Sequence, residues 1–137
     1  MLYDTKIALV LKADLPTWQK LNVAAFLASA VAIQFPETHG QPFVNGSGVT
    51  YLPFLKQPVL VYQAAEEKDL RRAHQRASER GLQVGIYTEP LFATKGEAEN
   101  LAVIAQYTTE TQLLVGLVVY GDAKQVSKAL DGLKLHT

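Results

Sequence analysis

The sequence contains no cysteine. Disulfide bonds, thiolate nucleophiles and zinc sites built on cysteine are therefore excluded, and the absence fits a protein of the reducing cytoplasm. Histidine is scarce too, because only His39, His74 and His136 are present and they stand far apart along the chain. They lack the spacing of metal ligands. We therefore expect no metal, no cofactor and a cytoplasmic location.

The chain also lacks an excess of either sign of charge, since 13 basic side chains are balanced by 13 acidic ones. No overall field draws the chain to nucleic acid or to anionic lipid. Long apolar runs are also missing. The uncharged and mainly apolar stretch at residues 21–36 ends in proline and is shorter than the roughly 20 apolar residues that cross a bilayer. The apolar run near the N-terminus is too short for a signal peptide. We expect neither secretion nor membrane insertion.

What the sequence does contain is an alternation of strand and helix patterns. Four apolar runs rich in β-forming residues predict buried strands, at residues 6–11, 58–62, 84–87 and 113–120. A helical pattern follows each of them, at residues 16–34, 66–80, 94–105 and 122–133. This alternation is typical of a sheet covered by helices on both faces. Because the chain length suits one core, we predict an α/β protein with a single domain over residues 1–137.

The first helix is apolar almost all round, from Val23 to Ile33. A helix of that kind must be covered on more than one side. Two alternatives remain open: the helix is buried within one chain, or it forms a homodimer interface in which alanines permit close approach. The stretch after it, residues 37–54, is the least regular part, although Asn45-Gly46 indicates a turn and residues 49–52 suit a short strand.

Four segments resemble the type II peptidyl-tRNA hydrolase family. They are KIALVLKADL (residues 6–15), VAA (residues 23–25), QPVLV (residues 57–61) and the ending over residues 126–135. A bacterial family of uncharacterised domains with the same fold is closer still, through DLPTWQKLNVAAFLAS (14–29), YLPFLKQPVLV (51–61), ERGLQVGIYTE (79–89) and GLKLH (132–136). The resemblance implies a three-layer α/β/α sandwich around a four-stranded mixed, mainly parallel sheet. Its strand order is second, first, fourth, third, and residues 37–54 form an irregular insertion.

The resemblance also implies where catalytic residues stand. The hydrolases cleave the ester between a peptide and tRNA with a pair of lysines, a glutamine and a histidine near the start of the chain. Here Lys20 holds the first lysine position, but Asn22 stands at the second. Phe26 and Ser29 replace the glutamine and the histidine. The resemblance therefore implies the hydrolase scaffold with a different or lost site.

Two further positions of the family's site have approximate counterparts here. Glu89 and Thr94 lie near the family's aspartate and threonine, with changed spacing. Ester hydrolysis needs a positioned water, a group that takes its proton and a donor for the developing oxyanion. We therefore name Lys20, Asn22 and Glu89 as the candidates for catalysis.

Candidate ligand-binding residues lie where the first strand passes into the first helix. Free N–H groups converge at such a junction, which makes it a natural site. Lys12 and Asp14 stand there, and Tyr87 closes the third strand and Thr94 follows it. We predict that these four residues bind a ligand.

Purely structural roles are the alternative for the same residues. Asp14 and Thr17 are residue types that cap a helix, in which case Lys20 is simply solvated. Thr94 stands three residues before Glu97, the spacing of a capping box.

A row of basic side chains recurs every fourth residue along the second helix, namely Lys68, Arg72, Arg76 and Arg80. Such a row can neutralise tRNA phosphates, but acidic residues interleave with it, as on an ordinary solvated helix. We therefore expect no tRNA binding. Three functions stay open: a domain that binds a small molecule or nucleotide-related ligand, a diverged ester hydrolase, and a homodimeric interaction module without chemistry.

Overall fold

Residues 2–137 are described by a computed structural model. Its strands are β1 (Thr5–Lys12), β2 (Phe43–Val44), β3 (Thr50–Tyr51), β4 (Val59–Ala64), β5 (Gln83–Thr88), β6 (Leu114–Asp122) and β7 (Lys134–Leu135). Its helices are α1 (Thr17–Gln34), α2 (Glu67–Glu79), α3 (Glu97–Ala105) and α4 (Ala123–Ala129), with short 3-10 turns at Pro36–Thr38 and Glu89–Ala93. The four predicted strands and the four predicted helices are present, although α4 is shorter than expected.

The main sheet has the order β5-β6-β1-β4-β7. Its four longer strands thus lie in the second, first, fourth, third order that the resemblance implies. The expected number of four strands is wrong, because β7 pairs with the free edge of β4 and its neighbour His136 donates a backbone hydrogen bond to Val61 at 2.8 Å. No helix of residues 2–137 is long and apolar enough to cross a membrane.

The sheet is mixed, but the expectation that it is mainly parallel is wrong. Only β1 and β4 pair in parallel, and the other three pairings are antiparallel. The cause lies after β5, where the chain does not cross over to the far end of the sheet. The Glu89 N–H donates to the Leu113 carbonyl at 3.0 Å, so β6 begins at the edge where β5 ends and runs back beside it.

Helices cover both faces of the sheet, as predicted, which gives three layers. The side chains of β1 alternate between the layers because a strand has a period of two. Ile7 and Leu9 belong to the apolar cluster with α1, whereas Ala8 and Val10 belong to the cluster with α2 and α4.

Glycines in the sheet let α1 lie close to it. An ideal Cβ atom on Gly116 would lie 2.7 Å from Val23 Cγ1, a distance that real Cβ atoms do not show. Along α1, the residues Val23, Leu27 and Val31 are buried, and the opposite side of the helix is exposed. The alternative in which a single chain buries α1 all round is therefore wrong, since no helix of residues 2–137 covers its outer side.

The helix ends agree only in part with the sequence. Gly81 has a φ of +69° and ends α2 close to residue 80, where the helical pattern of the sequence ends, with the Leu82 N–H donating to the Ala77 carbonyl at 3.0 Å. Asp122 caps α4 by accepting from the Gln125 N–H at 3.1 Å. The proposed caps of α1 are wrong, because Pro16 precedes that helix and no side chain caps it.

The irregular stretch forms a hairpin that we call the arm, residues 41–54. The predicted turn is confirmed, since the Asn45 side chain accepts from the N–H groups of Ser47 and Val49 at 2.9 and 3.0 Å. The predicted short strand is β3, which pairs with β2. At the base of the arm the Gly40 N–H donates to the Phe54 carbonyl at 2.8 Å. Every residue of the arm is exposed.

Candidate aromatic ligand site

The predicted site lies at one edge of the main sheet. β1 and β4 end there together, with Lys12 opposite Ala64. β5 ends at the same edge, because Leu11 and Tyr87 both lie opposite Gly116 of β6. The junction between β1 and α1 and the segment after β5 are therefore neighbours. A site that combines Glu89 with residues of the junction needs this arrangement.

Four aromatic side chains line this edge. The ring of Tyr87 lies 5.1 Å from that of Phe92 and 5.9 Å from that of Phe26, measured between centroids. Trp18 meets Phe92 edge-on at 6.0 Å. Trp18, Asn22 and Phe26 are spaced four residues apart, so they form one exposed row on α1 that we call the aromatic ridge. Trp18 keeps 59% of its surface exposed.

Tyr87 forms the floor of the cluster and is only 8% exposed. Burial raises the pKa of its hydroxyl above the ordinary value, which keeps the group neutral and able to donate at physiological pH. Among residues 2–137, no hydrogen-bond partner of this hydroxyl is found.

The predicted charged residues lie around the cluster without forming a joined set. Lys12 Nζ lies 3.7 Å from Asp14 Oδ1. Lys20 is partly buried and precedes the buried Val23 by three residues, which places it on the sheet-facing side of α1. Asn22 and Glu89 are exposed. No hydrogen bond or ion pair within residues 2–137 joins the side chains of Lys20, Asn22 and Glu89.

Thr94 does not form the predicted capping box with Glu97. Its hydroxyl donates to the Leu91 carbonyl at 2.8 Å and lies within hydrogen-bonding distance of the Asn100 side chain. Helix α3 begins only after Gly96, with no side-chain cap there. The hydroxyl thus helps to close the preceding 3-10 turn, and ligand binding by Thr94 stays a prediction.

The positions that carry the glutamine and histidine of the hydrolases contribute no polar group to the site. The Phe26 ring lies on Tyr87. The Ser29 hydroxyl donates to the Phe26 carbonyl of its own helix at 2.6 Å. Hydrolysis by Lys20, Asn22 and Glu89 stays a prediction.

The aromatic cluster is open to solvent at Trp18 and Phe26. Four of the better-formed cavities on the described chain are lined by other residues, including one of about 150 Å³ between the end of α1 and β5. Within residues 2–137, no three histidine, aspartate or glutamate side chains gather as a metal site requires.

The basic side chains of α2 are engaged within the protein. Lys68 pairs with Glu66 at 3.1 Å and Arg72 with Asp69 at 3.5 Å. Arg76 donates to the Asp131 carbonyl and Arg80 to the Gln125 side chain. This pairing is typical of a solvated helix, and the expectation of no tRNA binding stays a prediction.

Trp18 and Phe92 were not among the predicted site residues. Trp18 is the only tryptophan. It stands four residues before Asn22, a spacing that predicts that both side chains lie on the same face of α1. Phe92 has no such signal, because its contact with Trp18 depends on the pairing of β5 with β6.

Comparison with known proteins places the chain among relatives without an assigned activity. The model of the DUF2000 family, described as a protein of unknown function, matches residues 5–137. No curated protein matches the chain. The structure of the protein of unknown function Atu0240 from Agrobacterium tumefaciens strain C58 is 41% identical in sequence, covers 98% of this chain and 99% of its own, and superposes with a TM-score of 0.93. The predicted kinship with a family of uncharacterised domains is confirmed, and the relation to peptidyl-tRNA hydrolases stays a prediction. The chain belongs to the DUF2000 family of proteins of unknown function.

Proposed function

We propose that this chain binds a small molecule that combines a planar aromatic ring with an anionic group, which is the chemistry of a nucleotide. The observation that carries the proposal is the aromatic ridge. Trp18 and Phe26 are both exposed, although Phe26 packs on the buried Tyr87 and Trp18 packs on Phe92. Stacking of a base on an aromatic side chain contributes about 1–3 kcal/mol, so the ridge offers a planar ligand a substantial gain.

The anionic part of the ligand is assigned to the two lysines. Lys20 stands in the first turn of α1, and Lys12 ends β1 at the edge of the sheet where that helix begins. The Lys12–Asp14 pair is partly exposed, and exposed pairs of this kind contribute only about 0–1 kcal/mol. Lys12 therefore loses little when it exchanges the carboxylate for a phosphate.

Polar groups around the rings give the ligand its orientation. The Asn22 amide stands between Trp18 and Phe26 on the ridge and offers both a donor and an acceptor. The Tyr87 hydroxyl is a neutral donor, and Glu89 offers an acceptor for ring or sugar N–H and O–H groups. Binding is proposed ahead of hydrolysis because the three catalytic candidates are not joined into one constellation.

The emission of Trp18 tests this proposal directly, because no second tryptophan contributes. Titration with adenosine monophosphate is expected to give a saturable change, and Trp18→Phe is expected to retain binding by calorimetry while Trp18→Ala weakens it about 5- to 100-fold through lost stacking. Absence of any saturable change across a series of nucleoside monophosphates contradicts the proposal.

Substitution of a lysine tests the anionic half of the site. We expect Lys20→Ala to weaken the binding of adenosine monophosphate about 10-fold at low salt, and less at high salt because the charge is partly screened. Adenosine without phosphate should bind equally well to both proteins. Lys124→Ala, an exposed lysine on α4 at the opposite face, is the matched control. An equal loss in both variants rules out a specific role for Lys20.

A further inference from the structure

The arm has an unusual surface for a segment in water. None of residues 41–54 is charged, and every one of them is exposed. Its large apolar side chains are Phe43, Val44, Val49, Tyr51, Leu52 and Phe54. An isolated two-stranded hairpin is marginally stable in water, and the two strands here are two residues each. The arm therefore needs a surface to pack against.

A second uncharged surface lies on α1. Leu21, Ala25, Ser29 and Ile33 are spaced four residues apart, and all are exposed; we call this row the outer ridge. It lies beside the aromatic ridge, and no charged residue occurs between Leu21 and Gln34. The exposed side of α2, by contrast, carries charged side chains at Lys68, Arg72 and Glu79. The outer ridge thus differs from a solvated helix face.

The sheet beside α1 is also incompletely covered. Five strands at a spacing of about 4.8 Å make a sheet roughly 20 Å wide, whereas one helix covers about 10 Å. On the opposite face, α2 and α4 share the task. Among the α-helices of residues 2–137, only α1 belongs to the cluster on its own face, together with loop residues such as Phe35, Leu55 and Phe92. Val59 and Val61 of β4 accordingly remain only partly buried on the α1 side.

We propose that two copies of this chain form a symmetric dimer in which the arm of each copy packs on the outer ridge of the other. Each copy supplies one arm and one ridge, so a two-fold arrangement covers both surfaces of both copies at once and leaves none unfilled. Because the net charge of the chain is zero, the two copies do not repel each other through their overall charge.

The size of the two surfaces fits a stable dimer. The arm offers six large apolar side chains and the ridge a further row. Each large side chain contributes on the order of 100 Å² of buried surface. Arm and ridge together then bury about 800 Å² per copy, which is the standard size of a specific interface. The small side chains of Ala25 and Ser29 let the arm approach α1 closely. Trp18 and Phe26 lie on the neighbouring ridge and stay open to a ligand.

Sedimentation of the full chain at micromolar concentration tests the dimer. The wild-type protein is expected at twice the protomer mass of 15.0 kDa. Leu52→Lys in the arm and Ile33→Glu on the ridge, at side chains 84% and 80% exposed in one chain, are each expected to raise the dissociation constant about 100-fold, since each places a charge in an apolar interface. Both variants should fold as the wild type does, because neither side chain is packed within the chain.

Mixing and a control decide which surfaces meet. A mixture of the Leu52→Lys and Ile33→Glu proteins is expected to recover a dimer, because one contact in it is unaltered and the other joins opposite charges. Leu2→Lys, at an exposed leucine outside both surfaces, should stay dimeric. The proposal is overturned if the wild type is monomeric at ~100 µM, a concentration at which interfaces of this size are occupied. It is also overturned if either single variant stays dimeric, or if the mixture does not pair.

Discussion

Replacement of Gly116 by valine is expected to lower the free energy of unfolding by about 3 kcal/mol. An added Cβ atom would lie 2.7 Å from Val23 Cγ1, 3.3 Å from Leu27 Cδ1 and 3.3 Å from the Val10 carbonyl oxygen. Two of these atoms belong to the buried side of α1 and the third to the neighbouring strand β1, so the new side chain is confined on both sides. The helix must move off the sheet to make room, and that movement opens the apolar cluster beneath it.

The measurement is the midpoint of urea unfolding followed by circular dichroism. Gly46→Ala is the matched control, because an added Cβ atom at Gly46 meets no atom within 4 Å. Its free energy of unfolding should stay within about 0.5 kcal/mol of the wild-type value. If Gly116→Val leaves the midpoint where it was, or lowers it no further than Gly46→Ala, the close approach of α1 to β6 is wrong.

Substitution of Tyr87 is expected to have the second large effect on the free energy of unfolding, and we expect this effect to come from the ring and not from the hydroxyl. Tyr87→Ala removes a side chain that contacts Phe26 and Phe92 in a buried position and should lower the free energy of unfolding by about 3–5 kcal/mol. Tyr87→Phe keeps the ring. Because no hydrogen bond to the hydroxyl is found within residues 2–137, its loss should change that free energy by less than about 0.5 kcal/mol.

The same pair of variants separates stability from binding. If the Tyr87 hydroxyl donates to the ligand, Tyr87→Phe loses about 10-fold in affinity for adenosine monophosphate, the worth of one neutral hydrogen bond, while its unfolding midpoint is unchanged. Equal stability losses in Tyr87→Ala and Tyr87→Phe would show that the hydroxyl has a partner in the folded chain. That result would remove it from the site.

Local patterns predicted most of the regular elements. The runs that became β1, β4, β5 and β6 are apolar and β-branched, and each is followed by a helical pattern, so their existence follows from neighbouring residues alone. Strand β7 has only two residues and forms because the edge of β4 is free. The direction of β6 likewise depends on where the chain returns after β5. Pairing between distant segments leaves no periodic signal in either segment.

The candidate site likewise has some features that local sequence predicts and others that depend on contacts between distant segments. Lys12, Asp14 and Tyr87 were predicted from their places at strand ends, and the structure brings those ends to one edge of the sheet. Thr94 was predicted from its place near the family's threonine, with a capping box as the structural alternative, and its hydroxyl instead closes a 3-10 turn. The contact between Trp18 and Phe92 joins residues far apart in the sequence, so only the fold reveals it.

The arm was anticipated as a turn and a short strand but not as a projecting hairpin. Asn45-Gly46 specifies a turn whatever surrounds it, whereas projection depends on whether the body of the protein offers a surface for the hairpin. The described chain offers none, which is why the six apolar side chains of the arm are all exposed.

The central claim is that α1 carries two separate binding surfaces on its solvent side, the aromatic ridge for a ligand and the outer ridge for a second copy. The most direct test is Trp18 emission titrated with adenosine monophosphate in parallel in the wild-type protein and in the Leu52→Lys variant. Both proteins are predicted to show the same saturable change, although only the wild type is dimeric. Loss of the change in the variant alone would show that the two surfaces are not separate, and its absence from both proteins would contradict the ligand site itself.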